Sequence, residues 1–148
     1  MTLATTRARI LTILEGAGCK NVHSRVRNQL ERADAEESLI ADGQVQAWEV
    51  SDKPEAMIDG CDGYYTTELE VEILAHWRAN DAEDSRGEFV TQIVAAQAAL
   101  LHRTDGFVQV KEPGVVLVEL TETPIRLRTG QSAYRARLRF RLWNTSNT

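Results

Sequence analysis

Arg135, Arg137, Arg139 and Arg141 stand at every second position of the stretch AYRARLRFRLW, and Glu68, Glu70 and Glu72 do the same within YTTELEVEILAHW. A spacing of two places each set on one face of an extended strand. Guanidinium groups in such a row have two chemical uses, since they bind phosphates or carboxylates with the same fork of donors. A sheet that reads single-stranded nucleic acid stacks bases on aromatic side chains set among its basic groups. Here Tyr134 and Phe140 alternate onto the opposite face, together with Leu138 and Leu142. The acidic and basic rows instead match each other in spacing. The expectation is that the two strands are antiparallel neighbours and that Glu68, Glu70 and Glu72 pair across them with Arg135, Arg137, Arg139 and Arg141. Each pair would contribute about 0.2–1 kcal/mol and would mainly fix register. A small sheet-based nucleic-acid-binding module using the Arg135–Arg141 stripe is the competing reading.

The other chemistry-bearing residues form no constellation. His23, His76 and His102 lie in separate segments without the spacing of metal ligands. Cys19 and Cys61 match no metal motif and are too few for a disulfide framework. Asp81, Glu83 and Asp84 lack the order of a calcium loop and suit the positive end of a following helix. No glycine-rich phosphate loop, nucleophile elbow or zinc-protease motif occurs. Neither a catalytic site, a metal nor a cofactor is expected.

A chain of 148 residues with a net charge of −5 is sized for one domain and lacks the basic excess of a freestanding nucleic-acid binder. The cysteine usage suggests a reduced compartment. Arg7 and Arg9 interrupt the only N-terminal apolar stretch, so no secretory leader is expected, and no apolar run approaches the ~20 residues of a membrane helix.

The elements that must position the stripes follow from periodicity. Leu3, Ile10, Leu11 and Leu14 predict an opening helix ended by Gly16 and Gly18, and Asn21–Val26 a short strand. Residues 27–43 form a polar excursion. Gln44–Val50 reads as a strand, and SDKPEAMIDGCDG as a connection rich in turn formers. Tyr65–Trp77 alternates over 13 residues, which extends to about 43 Å and exceeds the needs of a domain this size. Such a strand either carries a bulge or projects at one end to pair outside its own subunit.

Ser85 and Glu88 predict a capping box opening a helix with Phe89, Ile93, Ala96, Gln97 and Leu100 on one face. Val90, Val94 and Leu101 are expected to widen that face. Val115–Leu120 is apolar on both faces, as in a central strand or one whose outer face meets a partner. Ile125 and Leu127 resume the alternation beyond Pro124, Thr129–Ser132 is a hairpin loop, and residues 144–148 form a frayed tail. The sum is one α+β domain over 1–148, with a mixed, mainly antiparallel sheet of four or more strands flanked by two principal helices.

This order of elements, from TRARILTILEGAG through GQVQAWEV and DAEDSRGEFVTQIVAAQAALL to VVLVELTETPIRL and YRARLRFRLW, resembles the tail terminator (tail completion) proteins of long-tailed phages and prophages. The resemblance covers nearly the whole chain and rests on pattern rather than on one motif. It implies a homo-oligomeric ring, usually a hexamer, that docks on the tail tube protein, stops tube polymerisation and presents a surface to the head–tail connector protein. It also implies residence in the virion tail, assembly in the host cytoplasm, no membrane, and DNA met only by passage through the ring. A head–tail joining or neck protein is the nearest alternative. Val115, Val116, Leu117, Val118 and Trp77 are the candidate subunit interface.

Overall fold

The computed structural model describes residues 3–24, 38–60, 63–80, 84–101 and 112–147. Three strands of 15 or 16 residues dominate it: β3 (Gln44–Asp59), β4 (Tyr64–Arg78) and β7 (Ser132–Asn147). Shorter strands complete the sheet: β1 (Val22–Ser24), β2 (Ile40–Ala41), β5 (Val116–Leu120) and β6 (Ile125–Arg126). The strand order is β1-β3-β4-β7-β5, with β2 added to β3 and β6 to β7. Among the described strands only the β1–β3 pairing is parallel, so the sheet is mixed and mainly antiparallel. Helices α1 (Leu3–Gly16) and α2 (Ser85–Leu100) flank it, and the fold is α+β.

Alternation decides what the helices cover. Leu69, Val71, Ile73, Ala75 and Trp77 of β4 share a face with Leu142, Phe140, Leu138, Ala136 and Tyr134 of β7, each opposite the next. Ile10, Ile13 and Leu14 of α1 and Phe89, Ile93, Ala96 and Leu100 of α2 bury this face, with Trp48 and Val50 of β3. Phe89 sits at its centre, stacked on Trp77 at 5.6 Å between centroids and edge-on to Trp48 at 6.3 Å. A second, smaller apolar cluster of Leu39, Val45, Ala47, Leu127 and Ala133 lies apart from this core.

Several sequence expectations are corrected. Residues 51–59, read as a connection, continue β3 to Asp59. β1 and β2 pair with β3 only at residues 44–50, so among the described residues the remainder of β3 is an edge, where Pro54 loses no ladder partner on that side. The register shift between Pro54 and Ala56 is the bulge of this edge. The tail is not frayed at residue 144: β7 runs on through Asn147, paired to Tyr64–Thr67, because β4 supplies a partner that far. Within 27–43, residues 40–41 and 44–45 form a small hairpin turned by Asp42 and Gly43, both at positive φ. The other residues of the excursion, 27–37, lie outside the described residues except that the chain is defined again from Ser38.

The start of α2 also differs. Asp84 is the N-cap, accepting from the Gly87 N–H at 3.1 Å, and Ser85 is already helical. Ser85 is buried because its hydroxyl accepts from the Asn80 N–H at 3.0 Å, tying the helix start to the end of β4. Val90, Val94 and Leu101 do not widen the buried face. They are 37%, 57% and 39% exposed.

Candidate functional site

The face of the sheet turned away from the helices carries both charged rows. β4 and β7 are antiparallel neighbours, with Glu70 opposite Arg141 and Glu72 opposite Arg139. The ion pairs themselves run diagonally: Arg139 to Glu70 at 3.4 Å and Arg137 to Glu72 at 3.7 Å. Two further carboxylates join from the flanking strands. Glu55, beside the β3 bulge, meets Arg141 at 3.1 Å, and Glu119 of β5 meets Arg137 at 3.8 Å. Glu70 is held below the usual carboxylate range, first by a hydrogen bond with Glu55 and then by Arg139 and Arg141. Glu68 stands opposite Trp143 rather than an arginine, and Arg135 opposite His76. These are half-exposed pairs in a network four strands wide, each worth little and together specifying alignment.

The same face changes character toward the other end of the sheet. His76 Nε2 and Glu49 Oε1 lie 2.8 Å apart, and both side chains are buried. His23 stands in register with Glu49, so a row of ionisable groups crosses β1, β3, β4 and β7. Among the described residues no three His, Cys, Asp or Glu side chains are grouped to hold a metal ion. A buried pair of this kind needs its partner in place, because an ionisable group stripped of one is costly in the interior. The lone acid inside the apolar run QAWEV is the sequence signal that identifies Glu49; periodicity gives no sign of its partner.

The candidate interface residues divide. Trp77 is only 8% exposed and belongs to the core, because the odd positions of β4 all face the helices. Little of its surface is left for a partner to meet. Val115 is half-buried against the same core. Val116, Leu117 and Val118 are 37%, 39% and 42% exposed, on a strand that among the described residues is bonded only to β7. Among the described strands β5 is therefore last in the order rather than central.

The opposite edge holds apolar residues that sequence reasoning assigned to a loop. Arg7 of α1 grips Asp52 of β3 with three hydrogen bonds of 2.8–3.2 Å, and the Thr6 hydroxyl donates to Asn144 of β7. These contacts anchor the start of α1 to the middle of β3 at Asp52 and near the end of β7 at Asn144. Beyond them Met57 is 68%, Ile58 54% and Tyr64 47% exposed, whereas Trp48, Val50 and Leu69 nearer the helices are at most 1%. Beyond buried Thr67 and Asn144 the ends of β3, β4 and β7 thus extend as a three-stranded arm of roughly 10 Å, about three residues at ~3.3 Å each. Pro54 and Gly60 disguise the EAMID segment as a turn.

Cys19 is chemically quiet. Burial pushes its thiol up to about 12, opposed by a weaker contact from Gln92. In comparisons with known proteins, the chain matches no protein-family model and no curated protein sequence.

Proposed function

We propose that this chain is a structural protein of a phage or prophage tail, a tail terminator that assembles as a ring on the tail tube and stops its growth. The observation that carries the reading is the pair of apolar sheet edges that no described strand covers, one on β5 and one at Met57 and Ile58 of β3. Long strands with exposed apolar ends are a liability in a monomer and a means of association in an assembly. Two different edges on one chain suit heterologous contacts, which build a closed ring when successive copies are rotated.

The charged face supports the same reading over the nucleic-acid module. Arg137, Arg139 and Arg141 each have a carboxylate within 3.8 Å, so phosphate binding would first have to break those contacts. With a net charge of −5, a ring of such subunits lets DNA pass without capturing it.

The test is native mass spectrometry and negative-stain microscopy at high protein concentration, with and without tail tubes. A ring alone or on tube ends is expected, together with tubes of uncontrolled length when the protein is withheld. Monomers under every condition refute the reading. A ring that binds connectors and ignores tubes points to the neck protein instead.

A further inference from the structure

We infer that the ring joint is a strand-to-strand contact in which the open edge of β5 receives the β3 edge of the arm, around Ala56–Ile58, from a second copy of this chain. The inference rests on the ring reading and names the occupant of the β5 edge.

Strand direction supplies the first argument. β7 runs parallel to β3, while β4 and β5 run the opposite way. A neighbour's β3 laid antiparallel on β5 therefore points the same way as the β3 of the receiving copy. Every copy then keeps one orientation, with its helices on the same face of a continuing sheet. Such a contact is heterologous and repeats identically, and the natural twist of sheets turns each copy relative to the last. An antiparallel pairing of β5 with another β5 would instead give an isolated two-fold dimer.

Side-chain complementarity supplies the second. Val116 lies opposite Arg139, on the charged face, and Leu117 opposite Leu138, on the helix face. On the arm, Ile58 lies opposite Thr66 and Met57 opposite Thr67, on those same two faces. An antiparallel register that sets Val116 against Ile58 also sets Leu117 against Met57, apolar to apolar on both sides. Beyond, both strands carry a bulge, at Leu117/Glu119 and at Pro54/Ala56. Past the bulges exposed Lys53 falls near Thr121, between exposed Glu119 and Glu122 and opposite to both in sign, while the nearer Glu55 is held by Arg141 of its own chain. Pro54 and the bulges confine the pairing to a short stretch, as edge-blunting devices do, so unregulated extension along the edge is prevented.

The helix beside β5 completes the seat. Gln97 Nε2 donates to the Val115 carbonyl at 3.0 Å, fixing which side of α2 overlooks the start of β5. Val94 and Leu101 lie three and four residues from Gln97, on that side of the helix, and both are exposed. They flank the position where Met57 of the second copy enters.

Disulfide trapping tests the joint. In a chain with Cys61 replaced by serine, Met57→Cys and Leu117→Cys together are expected to give a ladder of covalent oligomers on mild oxidation. Either cysteine alone is expected to give none; the thiol of buried Cys19 stays out of the reaction. As an independent arm, Met57→Asp is expected to weaken assembly at least ten-fold, with recovery on adding Leu117→Arg. Rings without a ladder, and with assembly indifferent to Met57→Asp, overturn this joint while leaving the ring standing. Cross-linking by Leu117→Cys alone assigns the edge to a two-fold dimer, and Met57→Asp rings that form normally but fail on tubes assign the arm to the tube subunit; both overturn the inference. Monomers throughout overturn the ring and the joint together.

Discussion

Trp77 separates a core residue from an interface residue by experiment. The residue is only 8% exposed and its ring stacks on Phe89 at 5.6 Å, with Trp48 edge-on to the same Phe89 at 6.3 Å. Truncating a buried Trp or Phe to alanine costs about 3–5 kcal/mol through lost transfer energy and the cavity left behind. The aromatic pair itself accounts for about 0.5–1.5 kcal/mol of that. Against a total stability of about 5–15 kcal/mol, Trp77→Ala leaves a folded but much weakened domain. Urea unfolding followed by circular dichroism, at concentrations low enough to keep the protein monomeric, reads the loss directly. The control is Leu117→Ala, a change on an exposed edge expected to move monomer stability by less than about 0.5 kcal/mol. A Trp77→Ala loss below about 1 kcal/mol, or one that appears only in assembled protein, would refute the core assignment.

Other consequences are as direct. Glu70→Arg and Arg139→Glu should each destabilise slightly, and the double reversal should recover about 0.2–1 kcal/mol, less in high salt; additive single changes would exclude coupling. Because Glu70 is held below its unfolded-state range, its contribution is present above that range and is lost as pH falls through its depressed native value. Glu70→Gln should therefore flatten the acid side of a stability-versus-pH curve without changing the alkaline side. Glu49→Leu, which takes the carboxylate away from buried His76, should cost about 3–5 kcal/mol by thermal or urea unfolding, and a neutral result would mean the pair is not buried in solution. With its thiol pushed up to about 12, Cys19 should resist iodoacetamide in the folded protein at pH 8 and react in urea, as followed by mass spectrometry.

The charged rows were legible because alternation is a local property. Each residue of Tyr65–Trp77 and Ala133–Trp143 declares its face by position parity, and complementary rows favour one neighbour over others. The resulting α+β sheet, the face of α2 through Phe89, Ile93, Ala96 and Leu100, and the turn at Gly130 follow from the same local rules. Turn chemistry misled where context overrode it. Pro54 within SDKPEAMID reads as a break, yet a strand tolerates proline where one side of its ladder has no partner among the described residues.

Parity names the two faces of a strand but not which of them is covered, nor where a strand falls in the sheet. Trp77 and Leu117 are both apolar residues on apolar strands, and nothing local distinguishes them. Trp77 became core because β4 lies mid-sheet beneath Phe89, and Leu117 stayed open because β5 is last in the order. The ends of β3 and β7 were likewise settled by pairing along the full length of β4, a partner distant in sequence. The sequence by itself determined the alternation, the matching of glutamate with arginine, and the apolar character of Val115–Val118. Only the tertiary structure decided which apolar residues face helices and which face outward, since burial depends on the neighbours that the whole chain brings together.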